Sequence, residues 1–359
     1  MTHSWLGRVL SNDLPRSRVL ALVLLVIVLG LACAPFVFPG ARALNVAAKI
    51  LIFIVLVASY DLLLGYTGIV SFAHTMFFGI GAYGVAIAST RMGPTWLALA
   101  VGISAAVLLS LLLSLLIGLF SLRVRAIFFA MITLAVAAAF QTLASQLGEI
   151  TGGEDGLNFS LPTLLSPSYQ LTETPFLGVT LDGKLITYYV VFCAAVVLFL
   201  ALLRIVNSPF GCVLQAIREN DFRAEAIGYR TVVFRTLSNV LASGFATLAG
   251  ALLAIWLRYN GAETSLSFEI MIDILLIVVI GGMGTMYGAV CGATIFILAQ
   301  SYLQDLMTLA SRATQAVPLL SALLSPDRWL LLLGILFVLS VYFFPTGIVG
   351  KLRTWRARQ

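Results

Sequence analysis

Long apolar stretches separated by short polar ones dominate the chain. Each stretch comes close to the roughly 20 residues that an α-helix needs to cross a bilayer. We expect about ten spans, at 19–39, 43–64, 69–89, 95–122, 126–147, 188–206, 237–257, 270–280, 289–306 and 327–345. The pattern therefore predicts an all-α integral membrane protein with one membrane domain over residues 19–345.

The first apolar stretch has two interpretations. Arg8, Arg16 and Arg18 precede it, as they would precede either a signal peptide or a first span. We expect an uncleaved span, because the stretch is longer than the apolar region of a typical signal peptide.

Two longer polar segments interrupt the spans. Residues 148–187 contain the sequence TGGEDG, several prolines and several acidic side chains, which predicts a water-exposed loop. In residues 207–235, Ser208 and Pro209 form a good helix start, with Ser208 as the cap. A second short helix is expected to begin at Asn220 or Asp221 and to stop at Gly228.

The distribution of positive charge predicts the orientation. If the N-terminus is cytoplasmic, 14 of the 21 Lys and Arg residues lie in inside segments, as the positive-inside rule requires. They are Arg8, Arg16, Arg18, Arg123, Arg125, Arg204, Arg218, Arg223, Arg230, Arg235, Lys351, Arg353, Arg356 and Arg358. Residues 1–18, the loop 207–235 and the basic tail 346–359 are then cytoplasmic, and the acidic loop 148–187 is external.

Composition excludes several other classes of protein. Hydrophobic residues make up 61% of the chain and charged residues only 10%, which is too apolar for a soluble domain. The net charge of +6 lies at span ends, so we expect no nucleic-acid partner. The four cysteines show no metal-ligand spacing, so no metal site is expected and they are interpreted as small buried hydrophobic side chains.

Two phosphate-binding patterns are only superficially present. Residues 79–84 match G-x-G-x-x-G, but they lie in a predicted span, where glycines favour close helix contact or local unwinding. Residues 178–185 come near a P-loop but have Leu185 where Ser or Thr must bind magnesium. We therefore expect no cofactor and no ATP hydrolysis on this chain.

Glycines break the spans at 65–68 and at 281–284, within two glycine-rich segments at 65–84 and 281–292. Gly284, Gly288 and Gly292 recur every fourth residue, and in a helix they would form a stripe for close packing. Paired interruptions in transport proteins also occur at a midplane substrate path. Both interpretations stay open from the sequence.

Three titratable side chains fall within predicted spans, where a charge is expensive and often functional. Asp61 either has a function or reaches headgroup water, because it is near the end of its span. His74 either has a function or is bonded to neighbouring backbone. Asp273, with Glu269 one turn earlier, either binds a cationic group or caps the helix.

Several motifs together resemble one family, the M-type permeases of branched-chain amino-acid ABC importers. The resemblance covers about residues 45–345. It rests on LGYTG at 64–68, SFAH at 71–74, FGIGAY at 78–83, TGGEDG at 151–156, AIREN at 216–220, AEAIG at 224–228 and VIGGMG at 279–284.

The resemblance implies a multi-pass permease in a bacterial cytoplasmic membrane, embedded in the lipid bilayer. It implies three kinds of partner: a homologous second permease, two cytoplasmic ATPase subunits that bind ATP and magnesium, and an extracytoplasmic substrate-binding protein. It also implies two sets of site residues. The expected ATPase-coupling residues are Arg218, Glu219, Asn220, Ala224, Glu225, Ala226 and Gly228, and the expected path residues are Gly65, Gly68, Ser71, His74, Tyr83, Gly281, Gly282 and Gly284.

The cargo and the driving force have alternatives. The family includes urea and amide permeases, and branched-chain amino acids are the favoured substrates. An ion-coupled secondary transporter that uses Asp61, His74 or Asp273 as a proton relay is the competing hypothesis. A membrane scaffold without transport activity is a further one.

Overall fold

A computed structural model confirms the predicted all-α fold. The structure describes residues 17–38, 40–121, 126–170, 182–313, 325, 328–344 and 346–354. Predictions for 1–16, Arg123, Arg125, 171–181 and 355–359 lie outside these residues. The helices are α1 Arg18–Val37, α2 Ala41–Thr67, α3 His74–Met92, α4 Trp96–Ser121, α5 Ala126–Gln146, α6 Gly148–Thr151, α7 Gly183–Val206, α8 Pro209–Glu219, α9 Asp221–Ala226, α10 Thr231–Leu257, α11 Ala262–Ser265, α12 Phe268–Gly281, α13 Met286–Ala313, α14 Trp329–Phe343 and α15 Gly347–Thr354.

Nine helical segments in the described residues are long and apolar enough to cross a membrane. The third predicted span, 69–89, is not among these nine, and its helix α3 begins only at His74. Residues 68–73 form a non-helical segment, and α3 itself is rich in glycine and polar side chains. Helix α3 is nevertheless buried along most of its length, so it belongs to the protein core.

Helix boundaries differ from the apolar pattern where helices extend into polar sequence. Helix α7 begins at Gly183 rather than 188, α10 at Thr231 rather than 237, and α13 continues to Ala313 rather than 306. Hydropathy detects only the apolar part of a helix, whereas backbone hydrogen bonding continues into water.

Helix α2 forms the centre of the molecule, where it packs against α7, α10 and α13. Beside it, α3 and α10 approach very closely. A Cβ atom at Gly81 would overlap the backbone of Thr247, and one at Gly250 would overlap the backbone of Phe78. Gly84 likewise allows contact with α4. The G-x-G-x-x-G pattern therefore serves close helix packing, as predicted.

The described part of the 148–187 loop is more than a water-exposed connection. Within it, short strand β1 Leu157–Asn158 pairs antiparallel with β2 Tyr259–Asn260, which directly follows α10. A 3₁₀ turn at Thr163–Leu165 follows, and Phe159 and Leu165 are buried against α3 and α10. Apolar side chains within the loop thus anchor it on the bundle.

Candidate coupling site

Two short helices, α8 and α9, fill the predicted cytoplasmic loop. Helix α8 buries Leu214 and Ile217 at helical spacing. The predicted helix start is confirmed, with Ser208 at the N-cap position and Pro209 in the first turn. The Ser208 hydroxyl does not cap the helix, however, because it donates to the Ile205 carbonyl at 2.6 Å. Asn220 does cap α9: its Oδ1 accepts from the Arg223 backbone N–H at 2.9 Å.

Arg218 extends from α8 to the end of α2. Its guanidinium donates to the Gly65 carbonyl. Its aliphatic stem lies against Gly68, where a Cβ would stand 3.3 Å from the Arg218 Cγ. Gly68 has a left-handed φ of 74°, which ends α2 and suits glycine. A single side chain thus joins α8 to the first glycine interruption.

The second interruption meets the first at the same place. The turn between α12 and α13 contains Gly282 and Gly284, with φ of 114° and 77°. A Cβ at Gly284 would come within 2.8 Å of the Arg218 guanidinium and 2.9 Å of the Gly65 carbonyl. Both interruptions therefore lie next to α8, at one end of the spans. Their role in a path stays a prediction.

The predicted glycine stripe is only partly helical. Gly284 lies in the turn, whereas Gly288 and Gly292 belong to α13 and pack against α12, where Gly281 is the contact. Gly282 lies against Gly347 at the start of α15. Small residues thus allow three chain segments to approach closely.

Asp61 completes this junction, although the sequence left its role open. It is 2% exposed, so the expectation that it reaches headgroup water is wrong. Its Oδ1 accepts from the Gly284 backbone N–H at 2.8 Å. The Arg218 guanidinium is close enough to interact with the carboxylate electrostatically. One acid and one base therefore connect α2, α8 and the α12–α13 turn.

The remaining predicted path residues lie elsewhere. Ser71 is buried in the non-helical segment before α3. His74 Nε2 lies 2.8 Å from the Ser59 Oγ, which itself donates to the Leu56 carbonyl, so His74 is bonded to a side chain. Tyr83 packs with Ala144, Ala262 and Leu266 farther along α3. The structure therefore brings Gly65, Gly68 and Gly284 together, but not Ser71, His74 or Tyr83 with them.

Helix α9 presents an unusual outward face. Phe222 is 81% exposed and Ile227 is 72% exposed, whereas Ala224 is buried. The exposed charged residues Glu219, Arg223 and Glu225 are close to these two residues in sequence. Large exposed apolar side chains rimmed by charge are typical of a protein-docking surface. Phe222 and Ile227 thus join the candidate site; their signal in the sequence was apolar residues within a charged loop.

Contacts with α10 fix the orientation of α9. Glu225 Oε1 accepts from the Thr231 hydroxyl at 2.7 Å, and Asp221 forms a 3.0 Å ion pair with Arg235. Gly228 follows the helix with a φ of 98°, which agrees with the predicted stop. Glu225 therefore holds α9 against α10.

Within the described ranges, no group of three or more His, Cys, Asp or Glu side chains could hold a metal ion. Of the four cysteines, Cys291 is buried, but Cys33, Cys193 and Cys212 are exposed, so the expectation of buried side chains is wrong for those three.

Comparison with known proteins shows that the chain is similar to permease components of branched-chain amino acid transport. A family model described as "Branched-chain amino acid transport system / permease component" matches residues 42–341. The chain is 26% identical over 326 residues to the high-affinity branched-chain amino acid transport system permease protein LivM of Salmonella typhimurium, covering 87% of this chain and 71% of that protein. It is 26% identical over 322 residues to LivM of Escherichia coli, covering 86% and 70%. A probable permease of the same name from Methanocaldococcus jannaschii is 25% identical over 61% of this chain and 58% of its own length.

Proposed function

Because the chain belongs to the permease components of branched-chain amino acid transport systems, we propose that it is the membrane subunit of an ABC importer for these amino acids. ATP and magnesium would bind to two separate cytoplasmic ATPase subunits. A second, homologous permease would complete the membrane part, and an extracytoplasmic binding protein would deliver the solute. The proposed location is the bacterial inner membrane, with both termini in the cytoplasm.

One observation carries this proposal: the junction of Arg218, Asp61 and the two glycine interruptions beneath α8 and α9. The ATPase would contact the exposed Phe222 and Ile227. Movement of α9 would then pass through α8, because Arg218 donates to the Gly65 carbonyl. The positive-φ glycines next to it allow backbone rotations that other residues resist.

The proposal assigns roles residue by residue. Asn220 and Gly228 define the ends of α9, Ala224 seats it on the protein, and Glu225 ties it to Thr231. Glu219 and Ala226 lie on the exposed surface of the two helices and would contact the ATPase. Ser71, His74, Tyr83, Gly281 and Gly282 remain proposed path residues.

Reconstitution tests the proposal. The chain and its partner permease are placed in proteoliposomes with and without the ATPase subunits, and uptake of radiolabelled leucine is measured with the binding protein outside. We expect uptake only when ATPase subunits and hydrolysable ATP are both inside. A non-hydrolysable ATP analogue is the control, and competition with isoleucine, valine and urea defines the substrate class. ATP-independent uptake by the isolated chain would contradict the importer proposal and support ion coupling.

A further inference from the structure

Three helices carry polar side chains on one partly exposed face, at the end opposite α8. On α2, Arg42, Asn45 and Lys49 recur at helical spacing, and none of them is buried. Helix α12 presents Glu269 and Asp273, four residues apart, and α13 presents Gln300, Gln304 and Asp305. We call this surface, defined by these eight residues, the polar face.

The length of α2 fixes the depth of this face. Asp61 lies 19 residues after Arg42, which is about 28 Å at 1.5 Å per residue and close to the thickness of a hydrocarbon core. Arg42 pairs with Asp305 at 2.6 Å, and both side chains are more than half exposed, as expected at a water interface. Lys49 lies seven residues farther along, about 10 Å deeper. The inner part of the polar face is therefore inside the membrane.

A hydrogen-bonded network joins the three helices at that depth. Lys49 Nζ donates to Gln300 Oε1 at 3.0 Å, and Gln300 Nε2 donates to Asp273 Oδ2 at 3.3 Å. The Lys49 ammonium lies 5.4 Å from the ring centre of Phe53, one turn deeper on α2. The lysine thus extends into the protein and does not snorkel outward to the headgroups. Of the pair interpreted as a possible cap, Glu269 lies in the first turn of α12, whereas Asp273 lies five residues inside the helix and does not cap it.

The charged groups of this network need protein or water around them. A charged side chain facing hydrocarbon costs about 2.5–3.5 kcal/mol on insertion scales, so intramembrane charges face protein or a water-filled cavity. All three network side chains remain partly exposed in the single chain. Ile272 and Leu298, which lie at the same depth, are apolar and more exposed, as lipid-facing side chains should be.

We propose that Lys49, Gln300 and Asp273 line the outer half of the solute path and contact a small zwitterionic solute. An ammonium group can bind the solute carboxylate, a carboxylate can bind the solute amine, and the Gln300 amide can serve either. The inference rests on the proposed function, because it requires that this chain forms a solute path. It adds a solute-contacting cluster that is remote from the coupling junction at the other end of α2.

Cysteine accessibility tests the proposal. In the full reconstituted transporter, Cys33, Cys193, Cys212 and Cys291 are first replaced by alanine. Single cysteines then replace Lys49, Asp273 or Gln300, with I272C and L298C as depth-matched controls. A membrane-impermeant thiosulfonate that carries a quaternary ammonium is added from outside. We expect the three network positions to react at least tenfold faster than their controls, and leucine with the binding protein to slow them at least threefold.

The labelling rates distinguish a solute path from a dry contact between subunits. Equal labelling of D273C and I272C, or no labelling at any network position, would overturn the proposal in favour of a dry contact with a neighbouring subunit. Fast labelling without protection by leucine would also overturn it, because the face would then be wet without contacting the solute.

Transport kinetics give a second readout. Lys49→Gln and Asp273→Asn should each raise the half-saturating concentration for uptake at least tenfold. Unchanged half-saturation in both variants would contradict solute contact. If the unmodified transporter shows no ATP-dependent uptake, the importer proposal fails by itself, and the labelling pattern still decides whether the face is a wet path.

Discussion

Helices α2 and α5 have similarly apolar sequences but opposite surroundings. Helix α2 is buried over almost its entire length, and its outer turns expose Arg42, Asn45 and Lys49. Helix α5 exposes large apolar side chains, with Ile127 at 75% and Met131 at 62%. Of these two helices, only α2 contains charged residues. Charge within a span therefore marks the helix that faces protein or water.

Helices α2 and α5 can have opposite surroundings despite similar hydropathy because lipid chains are about as apolar as leucine. A span can bury its apolar side chains equally well against lipid or against other helices. Hydropathy therefore predicts that both α2 and α5 cross the membrane, but not which of them is central. Small residues and buried polar groups make that distinction, because they have favourable partners only inside the protein.

Overpacking the central helices should give the largest effect. In Gly81→Val, the new side chain would collide with the Thr247 backbone, which cannot move as a flexible side chain would. We expect destabilisation of about 3 kcal/mol or more, measured as the loss of Tm and of monodisperse protein in detergent. Gly30→Val on the peripheral helix α1 is the matched control, because no atom lies within 4 Å of its added Cβ. Equal losses in both variants would contradict the packing argument.

The next largest effect should come from Asp61→Leu. This change removes the acceptor for the Gly284 N–H and the negative charge beside Arg218. A hydrogen bond to a charged group contributes about 1.5–3 kcal/mol, so ATP-driven uptake should fall roughly 10- to 100-fold. Asp61→Asn keeps the acceptor and should retain more activity. Thr142→Leu on the exposed side of α5 should change uptake by only about twofold. A normal rate in Asp61→Leu would exclude the junction as a transmitter.

A smaller effect is expected at the exposed tip of α9. Phe222→Ala removes a ring that would be only partly covered by the ATPase, so we expect about 1–2 kcal/mol weaker association. The measurement is the ATPase concentration that gives half-maximal stimulation, with Tm as the check on folding. Phe128→Ala on α5 is the control, because that ring is 56% exposed on the peripheral surface. If both variants behave alike, α9 is not the docking surface.

The ion pair between Asp221 and Arg235 should have the smallest effect. Its side chains are 42% and 25% exposed, so water screens the attraction. A double-mutant cycle with Asp221→Asn and Arg235→Gln, followed by thermal melting, should give a coupling energy below about 1 kcal/mol. A larger coupling would show that the water-exposed end of α10 depends on charge pairing as strongly as the membrane core depends on packing.

Much of the fold could be predicted from the sequence. Apolar stretches located the spans, and the polar loop at 207–235 located α8 and α9 together with the cap Asn220. The glycine interruptions were also visible. The boundaries of α7, α10 and α13 could not be predicted, because these helices continue past the apolar residues that indicate them.

The candidate site was only partly predictable. Arg218, Gly65 and Gly284 were each identified, yet nothing in their spacing showed that they meet. Asp61 lies 157 residues from Arg218 and 223 from Gly284, so the junction has no local signal. The same holds for Lys49, Gln300 and Asp273, which come from three helices.

The sequence by itself determined that this chain is a helical membrane protein with two longer polar loops, because the cost of placing polar backbone and charge in lipid acts on each segment separately. Only the tertiary structure decided which helix is central, which charges pair and where the two glycine interruptions meet. Those outcomes depend on close contacts between distant segments, and the energy of such a contact belongs to the pair of segments and not to either sequence alone.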